Sequence, residues 1–294
     1  MLSLSNTNFI NSPVEKIFFE NRFFYIKRDD LLHKDFSGNK ARKFLYFLVN
    51  QFDNIHTVVS YGSNQSNAMY TLSVLAKMKN WKFIYFIDHI SSFLSSQPIG
   101  NYKHSLDNNM KIFFDKTEYF KLKATNPKGY LFVDEGGAIQ EASYGIKTLG
   151  AEVEEFARKN KLKNPKIFLP SGTGTTALFL QSCTKIPVFT SPCVGDSNYL
   201  KQEFFNLQNN EQLHPTILNP IKKYHFGKLY KNFYDMYKDL LNQTNIEFDL
   251  LYDPQGWEVV LSHPHIFDHE TIYIHQGGII GNESMLERYK RKWV

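Results

Sequence analysis

The chain has 294 residues and a formal net charge of +5, with 42% hydrophobic and 21% charged residues. This composition is typical of folded globular proteins and excludes an intrinsically disordered chain, and the length predicts two packed domains with a cleft between them. The basic residues are interspersed with acidic ones and accompany no groove-reading motif, so no nucleic-acid partner is expected.

The first predicted strand, over residues 23–28, leads through an acidic loop into the motif Ser37-Gly-Asn-Lys-Ala-Arg-Lys43. The apolar run at 44–49 predicts a helix after the motif. Lys40 would therefore lie between a turn and an apolar helix face. Burial there would lower its pKa and provide a free amine able to form a Schiff base with a carbonyl cofactor. A lysine before a helix can equally be a solvated surface residue, and this stretch alone leaves both interpretations open.

Strands and helices then alternate along the chain. Strands are predicted at 56–60, 81–87, 110–114 and 130–133, and helices at 65–79 and 141–160. The turn after the first of these strands carries Gln65-Ser-Asn67. Such alternation predicts parallel sheets flanked by helices, with ligands bound outside the carboxyl ends of the strands.

A glycine- and threonine-rich loop lies between a strand predicted at 165–170 and a helix predicted at 177–183. Its sequence is Ser171-Gly-Thr-Gly-Thr-Thr176. Backbone N–H groups, a helix N-terminus and threonine hydroxyls together suit a phosphate dianion. The candidate ligands are Gly172, Thr173, Gly174, Thr175 and Thr176. The loop is neither a Walker A motif nor a GxGxxG fingerprint, which argues against a nucleotide, although turn chemistry alone can also produce such a loop.

The remaining elements are predicted with less regular spacing. They comprise a strand at 186–188, a helix ending at 207, a long loop over the cleft at 208–223, a helix at 229–241, and strands at 248–252 and 271–275. The last strand ends at Gln276-Gly-Gly278.

Other features bound the setting. The first six residues lack the pattern of a signal peptide, and no apolar window reaches the length of a membrane span. Two cysteines in a chain of this size favour a reducing compartment, so a cytoplasmic location is expected.

A metal site built from His263, His265, His269 and His275 is an alternative function, but histidines two, four and six apart do not share one helical face.

Four motifs now stand in order: Gly38-Asn-Lys-Ala-Arg-Lys43, Gln65-Ser-Asn67, the Gly/Thr loop and His275-Gln-Gly-Gly278. Together they resemble the pyridoxal-phosphate enzymes of the tryptophan synthase β-like fold (fold type II). Within that fold they resemble the 1-aminocyclopropane-1-carboxylate (ACC) deaminase and D-cysteine desulfhydrase family. The resemblance implies a two-domain α/β fold with parallel-rich sheets flanked by helices and an active site in the interdomain cleft. Residues 51–150 would form the small domain, and residues 1–50 with 151–294 the large cofactor-binding domain.

The resemblance also implies pyridoxal 5'-phosphate as cofactor and assigns roles to single residues. Lys40 matches the Schiff-base lysine, Asn67 the ligand of the ring hydroxyl, and the loop 172–176 the phosphate site. Asp253 takes the position that faces the ring nitrogen. Ser66 and Tyr252 match catalytic residues beside the substrate, and Gln65 and Gln276 complete the substrate site. Two other interpretations stay open: Ser66 as a helix N-cap and Tyr252 as a core aromatic. The implied assembly is a homodimer, with no metal and no membrane partner.

The sequence departs from both branches of this family. ACC deaminases carry Glu after the tyrosine and Leu in the His-x-Gly-Gly turn, whereas D-cysteine desulfhydrases carry a small hydroxyl residue and Thr. Here the pair is Asp253 and Gln276, and Ala68 replaces the His or Gln expected after Asn67. The favoured reaction is α,β-elimination of D-cysteine to pyruvate, sulfide and ammonia. The alternatives are ring opening of ACC to 2-oxobutanoate and ammonia, and a relative that binds the cofactor without catalysis.

Overall fold

A computed structural model describes residues 9–293 of the chain, so the N-terminal segment used for the signal-peptide expectation lies outside the described residues. The strands are β1 (Val14–Phe19), β2 (Arg22–Arg28), β3 (Thr57–Tyr61), β4 (Lys82–Ile87), β5 (Lys111–Phe114), β6 (Tyr130–Val133), β7 (Lys166–Ser171), β8 (Val188–Pro192), β9 (Thr216–Ile217) and β10 (Thr271–His275).

The α-helices lie between and after these strands. They are α1 (Gly38–Val49), α2 (Asn67–Lys79), α3 (Ser92–Ser96), α4 (Gly100–Asp107), α5 (Thr117–Thr125), α6 (Ala142–Lys159), α7 (Thr175–Cys183), α8 (Ser197–Leu207), α9 (Lys231–Thr244), α10 (Asp253–Ser262) and α11 (Gly281–Trp293). Across residues 9–293, no helix combines the length and apolarity that crossing a membrane requires.

The strands form two sheets. The larger has the order β1-β2-β10-β7-β8-β9, in which β1 pairs antiparallel with β2 and the other pairs are parallel. The smaller, β5-β4-β3-β6, is parallel throughout. The predicted parallel-rich α/β architecture is therefore confirmed. The smaller sheet comes from residues 57–133, but the domain boundaries 51–150 stay a prediction.

The sequence explains why both sheets are covered by helices. Strand β7 is buried along its whole length and β10 likewise, as expected for parallel strands with helices on both faces. One apolar cluster on the large sheet includes residues of α6 and α7, and another centres on Trp257 of α10. Helix α1 packs against both α6 and α2, so it touches helices that cover different sheets. The helix that carries Lys40 is thus held from two sides.

Most predicted elements occur within a few residues of their expected bounds, but three predictions were wrong. The segment 208–223, predicted as a long loop over the cleft, contains strand β9 and does not line the cleft. Residues 248–252 are a buried turn rather than a strand, because Asp249 Oδ1 accepts from the backbone N–H groups of Leu251 and Tyr252 at 2.8 and 2.6 Å. Pro254 then stands in the first turn of α10, where its missing N–H costs nothing. The strand predicted at 186–188 begins instead at Val188 and runs to Pro192.

Candidate active site

A cleft of about 1590 Å³ opens between the two sheets and is lined by residues that follow the carboxyl ends of β3, β7 and β10. All twelve predicted site residues line it: Lys40, Gln65, Ser66, Asn67, Gly172, Thr173, Gly174, Thr175, Thr176, Tyr252, Asp253 and Gln276. Tertiary structure therefore brings together motifs that are separated by more than 200 positions in the sequence. The roles assigned to these residues stay predictions.

Lys40 lies in the first turn of α1, and its amine reaches into the cleft. Gly38 starts this helix at φ +70°, and a Cβ there would stand 2.1 Å from the Gln276 carbonyl oxygen, so only glycine allows this close approach. The Lys40 side chain is partly accessible from the cleft, but Nζ is surrounded by protein and donates to the Gly136 carbonyl at 3.1 Å. Loss of hydration lowers the pKa of Lys40 to about 8, as the sequence led us to expect.

Lys43 is a second amine at the same place, for which the motif alone predicted no separate role. Its Nζ donates to the same Gly136 carbonyl at 2.9 Å, and its side chain is 1% exposed. Burial, followed by the neighbouring Lys40 amine, lowers its pKa well below the ordinary lysine value. The sequence could have indicated this pair of amines, because Lys40 and Lys43 are three residues apart and residues at that spacing share one face of a helix. The two amines together make this end of the cleft suitable for a carbonyl group or an anion.

The Gly/Thr loop joins β7 to α7 and leaves several hydrogen-bond donors unused. Helix α7 has no side-chain N-cap, so the N–H groups of its first turn point into the cleft without a capping partner. Gly174 adopts φ +71°, and a Cβ there would meet Leu200 at 2.5 Å and Phe204 at 2.4 Å. Among the described residues, the buried hydroxyl of Thr176 has no hydrogen-bond partner. An uncapped helix N-terminus beside an unpartnered hydroxyl fits a phosphate group.

Gly136 connects the two ends of this site. Its carbonyl accepts from Lys40, and a Cβ built on it would stand 3.0 Å from Cγ2 of Thr173 in the loop. The amine and the anion-binding loop are therefore neighbours across a single residue. This arrangement suits a small ligand that carries an aldehyde at one end and a phosphate at the other.

The Gln65-Ser-Asn67 turn precedes α2. Ser66 caps the helix, because its Oγ accepts from the N–H groups of Ala68 and Met69 at 3.2 and 3.4 Å. The N-cap interpretation is therefore correct, and it leaves the proposed substrate contact of Ser66 untested. Gln65 donates from Nε2 to the Ile99 carbonyl at 2.9 Å.

Asn67 is held by a residue that lies in none of the sequence motifs, Asn101. Its Oδ1 accepts from Nδ2 of the buried Asn101 at 2.6 Å, which turns the Asn67 N–H₂ group the other way. That group lies near the Asp249 carboxylate, since a Cβ on Gly278 would stand 2.5 Å from Asn67 Nδ2 and 2.9 Å from Asp249 Oδ2. The Asn67 amide is thus oriented as a hydrogen-bond donor on this side.

Three acidic or phenolic groups are buried at the base of the cleft. Asp253 is 1% exposed; its Oδ1 accepts from the Tyr273 hydroxyl at 2.7 Å and its Oδ2 from the Asp249 N–H at 3.0 Å. Burial and then the Asp249 charge raise the pKa of Asp253 well above the ordinary value. Burial likewise raises the pKa of Asp249 to about 7. Within the described residues no lysine or arginine forms a salt bridge with either carboxyl, so no cation offsets the effect of burial.

Tyr252 stands beside these carboxyls and lines the cleft. Burial, and then the charge of Asp249, raises the pKa of its hydroxyl, which therefore stays protonated at neutral pH. A Cβ on Gly172 would stand 3.5 Å from the Tyr252 ring and hydroxyl. Tyr252 is therefore both a wall of the site and a neighbour of the phosphate loop.

Gln276 lines the cleft, but each end of its amide is bonded to protein. Its Oε1 accepts from Asn39 Nδ2 at 2.8 Å, and its Nε2 donates to the Pro170 carbonyl at 2.6 Å. The preceding His275 is fully buried, and its Nε2 lies 2.8 Å from the Glu247 carbonyl oxygen. The histidine therefore anchors the turn, and the predicted contact of Gln276 with substrate stays a prediction.

The four histidines of the metal alternative do not gather. His275 is buried at the end of β10, whereas His263 and His265, whose rings are 5.9 Å apart, follow the C-terminal end of α10. Between residues 9 and 293, no group of three or more His, Cys, Asp or Glu side chains is placed to hold a metal ion.

A buried ion network fixes the position of α1 behind the site. Arg42 uses all five of its N–H donors: two on Asp29 at 2.8 and 3.0 Å, two on Glu152 at 2.7 Å each, and one on Thr148 at 2.9 Å. Lys27 reaches Glu152 at 2.6 Å, so two cations balance two carboxylates. Because Arg42 follows Lys40 by two residues, this network ties the amine-bearing turn to β2 and α6.

Comparison with known proteins places this arrangement in a recognised fold. No protein-family model and no curated protein sequence matches the chain. Several solved structures match it over nearly its full length at low sequence identity. A protein described as an ACC deaminase homologue has a TM-score of 0.77 at 20% identity, with 96% of this chain and 93% of that chain covered.

Two further solved structures share the architecture. A hydrogen sulfide-producing enzyme from Fusobacterium nucleatum has a TM-score of 0.66 at 14% identity, covering 94% of this chain and 97% of its own. A pyridoxal 5'-phosphate-dependent aspartate racemase has a TM-score of 0.61 at 12% identity, covering 91% and 90% respectively. Since these identities are low, the similarity establishes the fold alone. The chain therefore has the fold of the fold-type-II pyridoxal-phosphate enzymes, as its motifs predicted.

Proposed function

We propose that this protein is a pyridoxal-phosphate-dependent lyase acting on a small amino acid. One observation carries the proposal: the buried amine of Lys40 shares a cleft with an uncapped helix N-terminus and the unpartnered Thr176 hydroxyl. A free amine and an anion site close together in one cleft match a small ligand that carries both an aldehyde and a phosphate. The names of the neighbouring structures, which include a pyridoxal-phosphate-dependent enzyme and an ACC deaminase homologue, support the same conclusion.

The residues that would hold the cofactor follow from this geometry. Lys40 would bond to the aldehyde, and Asn67 would donate to the ring hydroxyl. Asp253 would face the ring nitrogen, and its charge would be stabilised by a protonated ring. The phosphate would accept from the loop Gly172, Thr173, Gly174, Thr175 and Thr176, with Lys43 as a nearby amine. When bound, the cofactor supplies an electron sink that makes the α-proton of an amino acid acidic.

The side chains of this protein then handle the protons. With a pKa of about 8, the amine of Lys40 is able to take the proton from the substrate α-carbon near neutral pH. The Tyr252 hydroxyl keeps its proton and can donate a hydrogen bond to a departing group or to the substrate carboxylate. Gln65 and Ser66, in the turn before α2, would flank that carboxylate.

We propose D-cysteine as the substrate. Its elimination breaks the Cα–H and Cβ–S bonds and forms a Cα=Cβ bond, and the sulfur leaves with a proton as hydrogen sulfide. Water then hydrolyses the released enamine to pyruvate and ammonia. The polar Gln276 at the wall of the cleft supports this choice over ACC, because a cyclopropane ring favours an apolar wall. The hydrogen sulfide-producing enzyme of the same fold is consistent with it.

Ring opening of ACC to 2-oxobutanoate and ammonia is the second candidate. One observation favours it: Asp253, next to Tyr252, is acidic, and the resemblance drawn from the sequence associates an acidic residue at this position with the deaminases. Asp253 faces the base of the cleft with its pKa raised, in contact with Tyr273.

The deciding experiment loads the protein with pyridoxal phosphate and supplies D-cysteine, L-cysteine and ACC in turn. We expect equal amounts of sulfide and pyruvate from D-cysteine, and a loss of about 10² to 10⁴-fold in Lys40→Ala. Release of 2-oxobutanoate from ACC would establish the second candidate instead. Cofactor bonded to Lys40 without any turnover would identify a non-catalytic relative. Failure of the protein to bind the cofactor at all would refute the whole proposal.

The assembly is a separate part of the proposal. We propose a homodimer, as the resemblance implied, and light scattering during size-exclusion chromatography measures the mass directly. A mass equal to the 34.4 kDa of one chain would refute it.

A further inference from the structure

Gln276 stands between the two elements that would hold opposite ends of the cofactor. It follows β10 directly, and its amide oxygen and nitrogen bond in different directions. Oε1 accepts from the side chain of Asn39 at 2.8 Å, and Nε2 donates to the carbonyl of Pro170 at 2.6 Å. Its backbone carbonyl also accepts from the Asn39 N–H at 2.9 Å. One residue therefore makes three hydrogen bonds to two separate elements, α1 and β7.

The positions of Asn39 and Pro170 show which parts of the site these bonds connect. Asn39 immediately precedes Lys40, whose amine points into the cleft, and Pro170 lies near the end of β7, directly before the Gly/Thr loop. The contacts are close on the Asn39 side, because Gly38 has no room for a Cβ against the Gln276 carbonyl. The Gln276 side chain thus fixes the spacing between the turn of Lys40 and the strand end that carries the anion-binding loop.

We infer that Gln276 is a positioning residue that sets the distance between the Lys40 amine and the phosphate loop. This inference rests on the proposed function, since it concerns a ligand held at both ends. A rigid ligand gains affinity from a second contact only when the two contacts stand at the right separation. Gln276 therefore increases the affinity gained when one ligand binds both ends of the site, and not the affinity of either end alone. Both branches of the family that the sequence resembles carry other residues at this position. The inferred role of Gln276 is therefore a property of this chain.

The test compares three probes: pyridoxal phosphate, pyridoxal, and inorganic phosphate. Pyridoxal engages only the lysine end and inorganic phosphate only the loop, so the three dissociation constants separate the ends from their cooperation. Gln276→Leu removes both side-chain bonds at similar volume. Because one buried hydrogen bond contributes about fivefold to tenfold, we expect pyridoxal phosphate to bind about tenfold more weakly, and pyridoxal and phosphate each to change less than about twofold.

A matched control is available in the same domain. Gln255 is buried and donates from Nε2 to the Pro192 carbonyl at 2.7 Å, but it does not line the cleft. Gln255→Leu loses a comparable amide-to-proline bond and is expected to leave all three dissociation constants unchanged. Circular dichroism confirms that each variant is folded.

The outcomes separate this inference from the proposed function. If the unaltered protein does not bond pyridoxal phosphate at Lys40, the proposed function fails first. If it does, and Gln276→Leu weakens all three probes equally or none of them, the inference is overturned. Should Gln276→Leu not fold, Asn39→Ala removes the side-chain bond from the other side and is assessed by the same ratios. Failure of both variants to fold, with Gln255→Leu folded, would show a purely structural role and would also overturn the inference.

Discussion

Lys40 should capture pyridoxal phosphate at a rate that rises with pH, reaches half its maximum near pH 8 and levels off about one pH unit higher. The physical reason is desolvation, which lowers the pKa of this amine from 10.5 to about 8. At pH 7 a group with a pKa of 8 is about 9% free amine, whereas one at 10.5 is about 0.03% free, so the expected advantage in reactive amine is roughly 300-fold. Because the folded-state pKa is the lower one, capture should reach its plateau well before that of an ordinary lysine.

The assay traps the bonded cofactor with borohydride at a series of pH values and maps the modified peptide by mass spectrometry. Lys40→Met should abolish the label. Lys43→Met should retain it and move the half-maximum to lower pH, because a hydrogen bond with Lys43 raises the pKa of Lys40. Capture that still increases near pH 10 would contradict the burial argument. A label on Lys43 in the unaltered protein would show that the wrong amine has been assigned.

Three further predictions concern the support of the site. Arg42→Met leaves buried carboxylates without their main partner and should lower the free energy of unfolding by about 3 to 5 kcal/mol in denaturant titrations. The substitution of the exposed Arg158 by Met should change the free energy of unfolding by less than about 1 kcal/mol. Equal effects of the Arg42 and Arg158 substitutions would contradict a stabilising role of the buried network. Thr176→Val should weaken inorganic phosphate about fivefold to tenfold without altering thermal stability, and unchanged binding would remove this hydroxyl from the phosphate site. Gly278→Ala places a methyl group 2.5 Å from Asn67 Nδ2 at φ +85°. It should therefore lower the free energy of unfolding by about 1 to 3 kcal/mol and weaken the binding of pyridoxal phosphate. A neutral result would show that Asn67 is free to move.

Local chemistry made much of the fold predictable. The strand-turn-helix units at 57–79 and 166–183 follow from apolar runs bounded by glycine and serine, and their predicted types agree with the structure. The prediction of a strand at the apolar segment 248–252 was wrong, also for a local reason. A carboxylate at Asp249 satisfies two backbone N–H groups within the turn, so the segment has no need of a strand partner.

The sequence by itself determined the order of the elements, the loop suited to phosphate and the lysine suited to an aldehyde, because these depend on residues that are neighbours in the chain. Only the tertiary structure decided which buried polar groups pair. Gln276 meets Asn39 across 237 positions, Arg42 meets Glu152 across 110, and Asn101 meets Asn67 across 34. Such partners are chosen by the need to satisfy each donor and acceptor that folding removes from water, and no pattern of neighbouring residues records that choice.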